Sequence, residues 1–157
     1  AESGHPPVMS KLLIRALDTH DPAQLESSID LVEQAFADPE RYDRERIARE
    51  MLGHHLVFYR QFFVAIKDGR IVGVAGVKAA DWSAKTHLLY LSAVTPEMRG
   101  QGIGRALVEV RMEWVERQFS SGRILVSTAR TKRFREFGFV EVKGSEINDR
   151  HLMMYRF

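Results

Sequence analysis

The 157-residue sequence contains no cysteine. That excludes a disulfide framework, a thiolate-ligated zinc and a covalent acyl-cysteine intermediate. It fits a cytoplasmic protein and does not require one. No apolar run approaches the ~18 residues of a membrane-spanning helix, so no membrane partner is expected. Residues 1–8 lack the apolar stretch of a signal peptide. With Met9-Ser10-Lys11 as a natural start, they read as a disordered leader or an expression remnant, and 9–157 as one domain. Net charge of either sign is in short supply. Lys and Arg number 23 against 21 Asp and Glu, a formal net charge of +2, too little to argue for nucleic acid. The basic residues are scattered apart from Arg130, Lys132, Arg133 and Arg135, a cluster that a solvated helix face explains. The histidines, His54-His55 included, show no metal-ligand spacing with carboxylates, and no metal is expected. No Ser/His/Asp set presents a nucleophile turn. Tyrosine is sparse too, with none between Tyr90 and Tyr155.

What is present is a regular succession of elements. Leu12 to Leu17 reads as a first strand. Asp21-Pro22 then supplies a helix cap and first position. Leu25, Ile29, Val32 and Phe36 recur at helical spacing, and Asp38-Pro39 stops them. A second helix spans about Asp43 to Gly53. The apolar run from Leu56 ends as a strand through Phe62 to Ile66. Lys67-Asp68-Gly69-Arg70 turns it into a return strand, Ile71 to Val77, in which Gly73 and Gly76 predict close backbone packing or a bulge. A strand from His87 to Val94 follows. A long amphipathic helix runs from Ile103 to Phe119, then a strand at Ile124–Val126 that should lie beside the His87–Val94 strand. A short helix spans Thr131 to Phe137, and closing strands Phe139–Val142 and His151–Phe157 end the chain. Neither alternating βαβ units nor an all-β pattern fits this order. The class is α+β, a mixed and mostly antiparallel central sheet of about seven strands with helices on both faces.

The most informative stretch is Val94-Thr95-Pro96-Glu97-Met98-Arg99-Gly100-Gln101-Gly102-Ile103-Gly104-Arg105-Ala106-Leu107. A strand ends, alternate glycines follow, and a helix begins. Glycines let a ligand approach the backbone closely, and a helix start presents unpaired N–H groups. The result is an anion cradle suited to phosphate or pyrophosphate, flanked by Arg99 and Arg105. It is not a P-loop, which needs Lys and Ser/Thr where Arg105-Ala106 stands. It is not the dinucleotide fingerprint, whose third glycine would fall on Arg105 or Leu107.

As written, Arg99-x-x-Gly102-x-Gly104 resembles the pyrophosphate loop of the GNAT superfamily of acyl-CoA-dependent N-acetyltransferases. The element order resembles that family's fold, and Phe134-Arg135-Glu136-Phe137-Gly138-Phe139 resembles its closing motif. The resemblance implies acetyl-CoA as cosubstrate. The backbone of Ser92, Ala93 and Val94 would hold the pantetheine arm and polarise the thioester, with Thr95 adding a hydroxyl. The amides of Arg99, Gly100, Gln101, Gly102, Ile103, Gly104 and Arg105 would hold the pyrophosphate. Ser127 falls where the family often has Asn against CoA. Phe134 falls where it often has the tyrosine that protonates the leaving thiolate, so a tyrosine acid is not expected; the ring is left to pack against the arm.

The implied reaction is direct attack by a primary amine of a small molecule or peptide on the thioester, with no covalent enzyme intermediate. A proton acceptor would be sought on the strand before the loop. The family's positions there are Leu88, which cannot serve, and Tyr90. His87 has the better chemistry, but strand alternation sends it to the other face. Tyr90 and His87 are therefore the catalytic candidates, each with cross-strand packing as the plainer alternative. A non-catalytic acyl-CoA-binding or regulatory module on the same fold is the alternative function. The sequence leaves room for a homodimer.

Overall fold

The computed structural model describes residues 11–53 and 58–157. The expected leader, the His54-His55 pair and the Leu56 start of the apolar run lie outside the described residues. Strand β1 (Leu13–Ala16) leads into helices α1 (Pro22–Phe36) and α2 (Arg44–Met51). Strands β2 (Arg60–Lys67), β3 (Arg70–Ala79) and β4 (Thr86–Val94) follow, then a 3₁₀ turn at Pro96–Met98 and helix α3 (Ile103–Gln118). The chain closes with β5 (Arg123–Thr128), α4 (Thr131–Glu136), β6 (Val140–Glu141) and β7 (His151–Arg156). They build one seven-stranded sheet in the order β1-β2-β3-β4-β5-β7-β6. Every pairing is antiparallel except β4 with β5, which is parallel. This is the mixed sheet that the element order predicts.

Local chemistry accounts for the ends of these elements. Asp21 caps α1 by accepting from the N–H groups of Ala23 and Gln24. Asp43 caps α2 by accepting from Arg46 N–H at 2.8 Å. Asp68 and Gly69 both have positive φ, 52° and 71°, the twist that a tight two-residue hairpin demands. The last strands are shorter than the pattern predicts. Phe139 is drawn into the core, its N–H closing α4 on the Phe134 carbonyl, so β6 begins only at Val140.

Alternation along the strands divides the core in two. Phe63, Ala65, Ala75, Val77, Leu89, Ile124, Val126 and Met153 pack under α3 and α4. Phe62, Val64, Ile66, Val74 and Leu91 pack under α1 and α2. Leu89 and Leu91 should share a face, because side chains two apart along a strand point the same way. They do not. The β3–β4 register jumps between Val74 and Gly76, and Leu91 has φ 48° while only 5% exposed. This is a β-bulge, and it turns Leu91 onto the same side as Tyr90. A left-handed conformation at a buried leucine costs about 1–3 kcal/mol, which the surrounding packing must offset. Gly76, opposite Tyr90, makes room for it. A Cβ at Gly76 would lie 2.7 Å from the Phe62 ring and 2.9 Å from that of Tyr90.

Arg111 on α3 is the largest fully buried side chain among the described residues. Its Nε donates to the Leu107 carbonyl at 2.8 Å and its Nη1 to the Gly76 carbonyl at 2.9 Å. It thereby ties the helix to the sheet at the bulge. Among the described residues no carboxylate pairs with it, and burial alone pushes the guanidinium down to about 9.

Candidate functional site

The bulge lies where β4 loses a neighbour. Strand β5 pairs with β4 only from Thr86 to Leu89, with Arg123 to Val126 opposite. Beyond that, Ser127 and Thr128 pair only with β7. The β4 edge from Tyr90 to Val94 therefore has no strand beside it on that side. Ser92 is exposed, and Ala93 and Val94 are half-buried. Counting back from Val94, which packs under α3, alternation turns Ser92 to the same side. There the otherwise closed layer is open. Thr95 sits at the end of this edge with its N–H on the Val72 carbonyl at 2.9 Å, and its buried Oγ1 has no hydrogen-bond partner among the described residues.

Next comes the glycine turn. Gly100 and Gly102 have φ 79° and 82°, and a Cβ built on either would meet nothing within 4 Å. Space stands open over the backbone. Gly102 is the residue before α3 and offers no side-chain cap, so the first-turn N–H groups of that 16-residue helix lack an internal acceptor. The helix dipole adds partial positive charge at the same point. Gln101 points aside, its Oε1 accepting from Lys67 at 3.3 Å.

The surrounding cations differ from the expectation in two respects. Arg105 is engaged, its Nη1 donating to Glu136 on α4, and both side chains are well exposed. Arg133 is not merely a solvated residue of a helix face. Its Nη1 lies 2.7 Å from where a Gly104 Cβ would stand, pressed onto the first turn of α3. Burial and the neighbouring Arg130 and Arg105 together lower its affinity for a proton. This crowding of like charge at a helix N-terminus is relieved by an anion. The sequence hints at Arg133 only through its basic cluster, because what places it over Gly104 is the packing of α4 on α3.

On the opposite face, the Tyr90 hydroxyl donates to Glu50 Oε2 of α2 at 2.8 Å. Arg60 Nε approaches the same oxygen at 3.2 Å, and Lys78 Nζ lies 4.4 Å from the centre of the Tyr90 ring. Burial, then the charge of Glu50, raises the Tyr90 phenol well above its ordinary range. It stays protonated at neutral pH. Sequence reasoning missed Glu50, Arg60 and Lys78, since nothing local links residues 50, 60, 78 and 90.

His87 is elsewhere. Its ring packs 4.5 Å from that of Phe119, past the far end of α3, and its Nδ1 shares a 2.7 Å hydrogen bond with the Tyr59 hydroxyl. It is 3% exposed, burial lowers its pKa, and Nε2 has no partner among the described residues. Alternation sends it to the face opposite Tyr90, and the structure does not bring it to the Ser92–Val94 edge. Phe134 is 6% exposed and meets Phe139 edge-on at 5.2 Å. It is a core residue with little surface left for a ligand. Ser127 is exposed, and its carbonyl accepts from Arg150 Nη2 at 2.8 Å.

The parts brought together are an unpaired strand edge, an orphaned buried hydroxyl at Thr95, and a side-chain-free turn on a helix N-terminus ringed by arginines. They fit an elongated ligand with a hydrogen-bonding arm and a pyrophosphate. Among the described residues, no group of three His, Asp or Glu is placed to hold a metal ion, and no helix is long and apolar enough to cross a membrane.

Solved structures of the same architecture are numerous. The PaiA N-acetyltransferase of Thermoplasma acidophilum, in complex with coenzyme A, superposes with a TM-score of 0.72 at 17% identity, over 94% of this chain and 99% of that one. The ribosomal-protein-S18-alanine N-acetyltransferase of Escherichia coli gives 0.71 at 18%, over 93% and 94%. Aminoglycoside 6'-acetyltransferase type Ii gives 0.71 at 18%, over 91% and 96%. At these identities the likeness is one of fold. No curated protein matches the sequence. The sequence profile of the Acetyltransferase (GNAT) family, in contrast, matches residues 25–139, from within α1 through the Gly138-Phe139 ending, and the chain belongs to that family of acetyltransferases.

Proposed function

We propose that the protein transfers an acetyl group from acetyl-CoA directly to a primary amine. The observation that carries this reading is the juxtaposition of the open turn at Gly100 and Gly102 with the unpaired β4 edge. The turn and the first-turn N–H groups of α3 would hold the pyrophosphate, with Arg133 and Arg99 supplying charge. The backbone of Ser92 to Val94 would hydrogen-bond the pantetheine arm in place of the missing strand. The thioester supplies an activated acyl carbon with a leaving thiolate.

The protein's part is placement and electrostatics. Backbone N–H groups at the bulge would polarise the thioester carbonyl. The Tyr90 oxygen, its proton committed to Glu50, keeps lone pairs free to accept an N–H of the neutral amine. The new N–C bond forms as the C–S bond breaks. The amine's extra proton leaves to water, and the thiolate takes a proton from water. A thiol pKa near ~8.5 makes that thiolate a tolerable leaving group, so the core position of Phe134 is compatible with turnover.

Two measurements test the reading. Calorimetric titration should show acetyl-CoA binding, and release of free CoA thiol should depend on an added amine. No binding at millimolar acetyl-CoA would sink it. Binding with no thiol release across a broad amine panel would favour the non-catalytic module, for which the absence of a tyrosine at Phe134 is the motive.

A further inference from the structure

The face that carries Tyr90 holds a second group of charges one step along the sheet. Arg60 pairs with Lys78, and Lys78 with Leu88, across β2, β3 and β4. Their side chains form a row roughly 7 Å from the row of Phe62, Gly76 and Tyr90. The row borders a pocket of about 250 Å³ walled by Phe58 and Trp82, with the exposed Asp81 also lining it. Phe58 and Trp82 are 48% and 66% exposed. Large apolar rings held open to water beside a pocket are suited to clasping a ligand.

Two cations there share one close carboxylate. Glu50 Oε2 is shared by Arg60 Nε at 3.2 Å and the Tyr90 hydroxyl at 2.8 Å. Lys78 Nζ lies 3.9 Å from the other oxygen, beyond hydrogen-bond reach. Among the described residues it donates no hydrogen bond, while 71% of its side chain is already out of water. Asp81, being exposed, is screened by solvent. Lys78 is thus held beside Tyr90 by the ring and by a long contact to Glu50, with its hydrogen-bond donors free among the described residues, where the acetyl acceptor would approach.

We propose that this pocket receives the carboxylate of the acceptor, and that the acceptor is a compact amino-carboxylate of the size of a free α-amino acid. The inference rests on the acetyl-transfer reading above. Lys78 takes the carboxylate, Arg60 adds a second positive charge, and Phe58 and Trp82 clasp the apolar side chain. The amine is then left over the Tyr90 row, facing the β4 edge. A polyamine would place its own charges against Lys78 and Arg60. A phosphate would bring two negative charges toward Glu50, where a carboxylate brings one.

The test is a panel of acceptors supplied with acetyl-CoA: phenylalanine and leucine, their carboxamides, phosphoethanolamine and spermidine. The free acids should be acetylated with kcat/KM about 10- to 100-fold above their amides, the factor expected of one charge-assisted hydrogen bond. Lys78→Met should bring the acids down to the level of the amides, chiefly through KM, and Lys78→Arg should restore most of the difference. Thermal melts of both variants check that they are folded. Amides equal to acids, a preference for spermidine or phosphoethanolamine, or no acid turned over by protein that binds acetyl-CoA would each overturn the inference while leaving the donor reading intact. Failure to bind acetyl-CoA at all would sink both.

Discussion

The hydroxyl of Tyr90 donates to a carboxylate oxygen of Glu50 at 2.8 Å, linking β4 beside its bulge to helix α2. The phenol proton is thus directed away from the open strand edge, and its oxygen lone pairs remain for an incoming N–H. Tyr90→Phe removes that acceptor and leaves the Glu50 carboxylate with Arg60. We expect kcat/KM for the acceptor to fall about 10-fold, with acetyl-CoA affinity unchanged by calorimetry. An equal loss in both would mean that the tyrosine supports the strand edge and not the amine.

Tyr59 and Tyr90 both have phenols raised by burial. A raised acid binds its proton more tightly in the folded state. Its contribution is therefore complete below the unfolded pKa near ~10 and is lost as pH climbs through the folded value. His87 is the converse, its pKa lowered by burial, so stability falls as pH drops below the usual histidine value near ~6.5. Urea denaturation from pH 5 to 11.5 should show a plateau between these limits. A Tyr59→Phe/Tyr90→Phe double variant should flatten the alkaline limb, and an unchanged slope would exclude these two groups as its cause.

Gly102 has φ 82° with open space above it. Gly102→Asn, which tolerates that conformation, should keep most of the stability, whereas Gly102→Ala should cost about 1–2 kcal/mol through backbone strain. Gly102→Glu would set a carboxylate where the pyrophosphate is proposed to lie. It should abolish measurable binding, since like-charge juxtaposition costs several kcal/mol. Retained binding in the Glu variant would place the pyrophosphate elsewhere.

Arg133 is crowded by Arg130 and Arg105. Arg133→Ala should weaken acetyl-CoA binding about 10- to 100-fold, the scale of a lost charged hydrogen bond. It should leave the ligand-free melting temperature unchanged or slightly higher, because a repulsion is removed. A lower melting temperature with unchanged affinity would make Arg133 a structural residue.

Arg111 bridges the Leu107 and Gly76 carbonyls in a fully buried setting. Arg111→Ala leaves both carbonyls short of a donor and opens a cavity beneath the bulge. We expect a loss of about 3–5 kcal/mol by urea denaturation. A loss under about 1 kcal/mol would show that the helix–sheet tie is dispensable.

The order of elements and the donor turn were legible from residues 11 to 157 because their signals are local. Asp21-Pro22 starts a helix, Asp68-Gly69 turns a hairpin, and Gly100-x-Gly102 before an amphipathic run makes a cradle whatever lies around it. Alternation along β4 placed His87 and Tyr90 on opposite faces for the same reason. Gly73 and Gly76 marked β3 for close packing or a bulge, and both of its register shifts fall beside them; that Leu91 is the β4 residue turned over was not legible. Nothing in Tyr90-Leu91-Ser92 announces a positive φ, which depends on how β4 pairs with β3.

What the sequence determined by itself was the class of sheet, its family resemblance and the turn at Gly100 to Gly104, all carried by residues adjacent in the chain or at fixed periodicity. What only the tertiary structure decided was which side chains meet. Glu50, Arg60, Lys78 and Tyr90 come from one helix and three strands, and Arg133 reaches Gly104 across two helices. Such contacts depend on strand order and register, which no spacing along the chain encodes. The turn that would hold the donor is local and could be read. The face that would choose the acceptor is assembled from four elements and had to be seen.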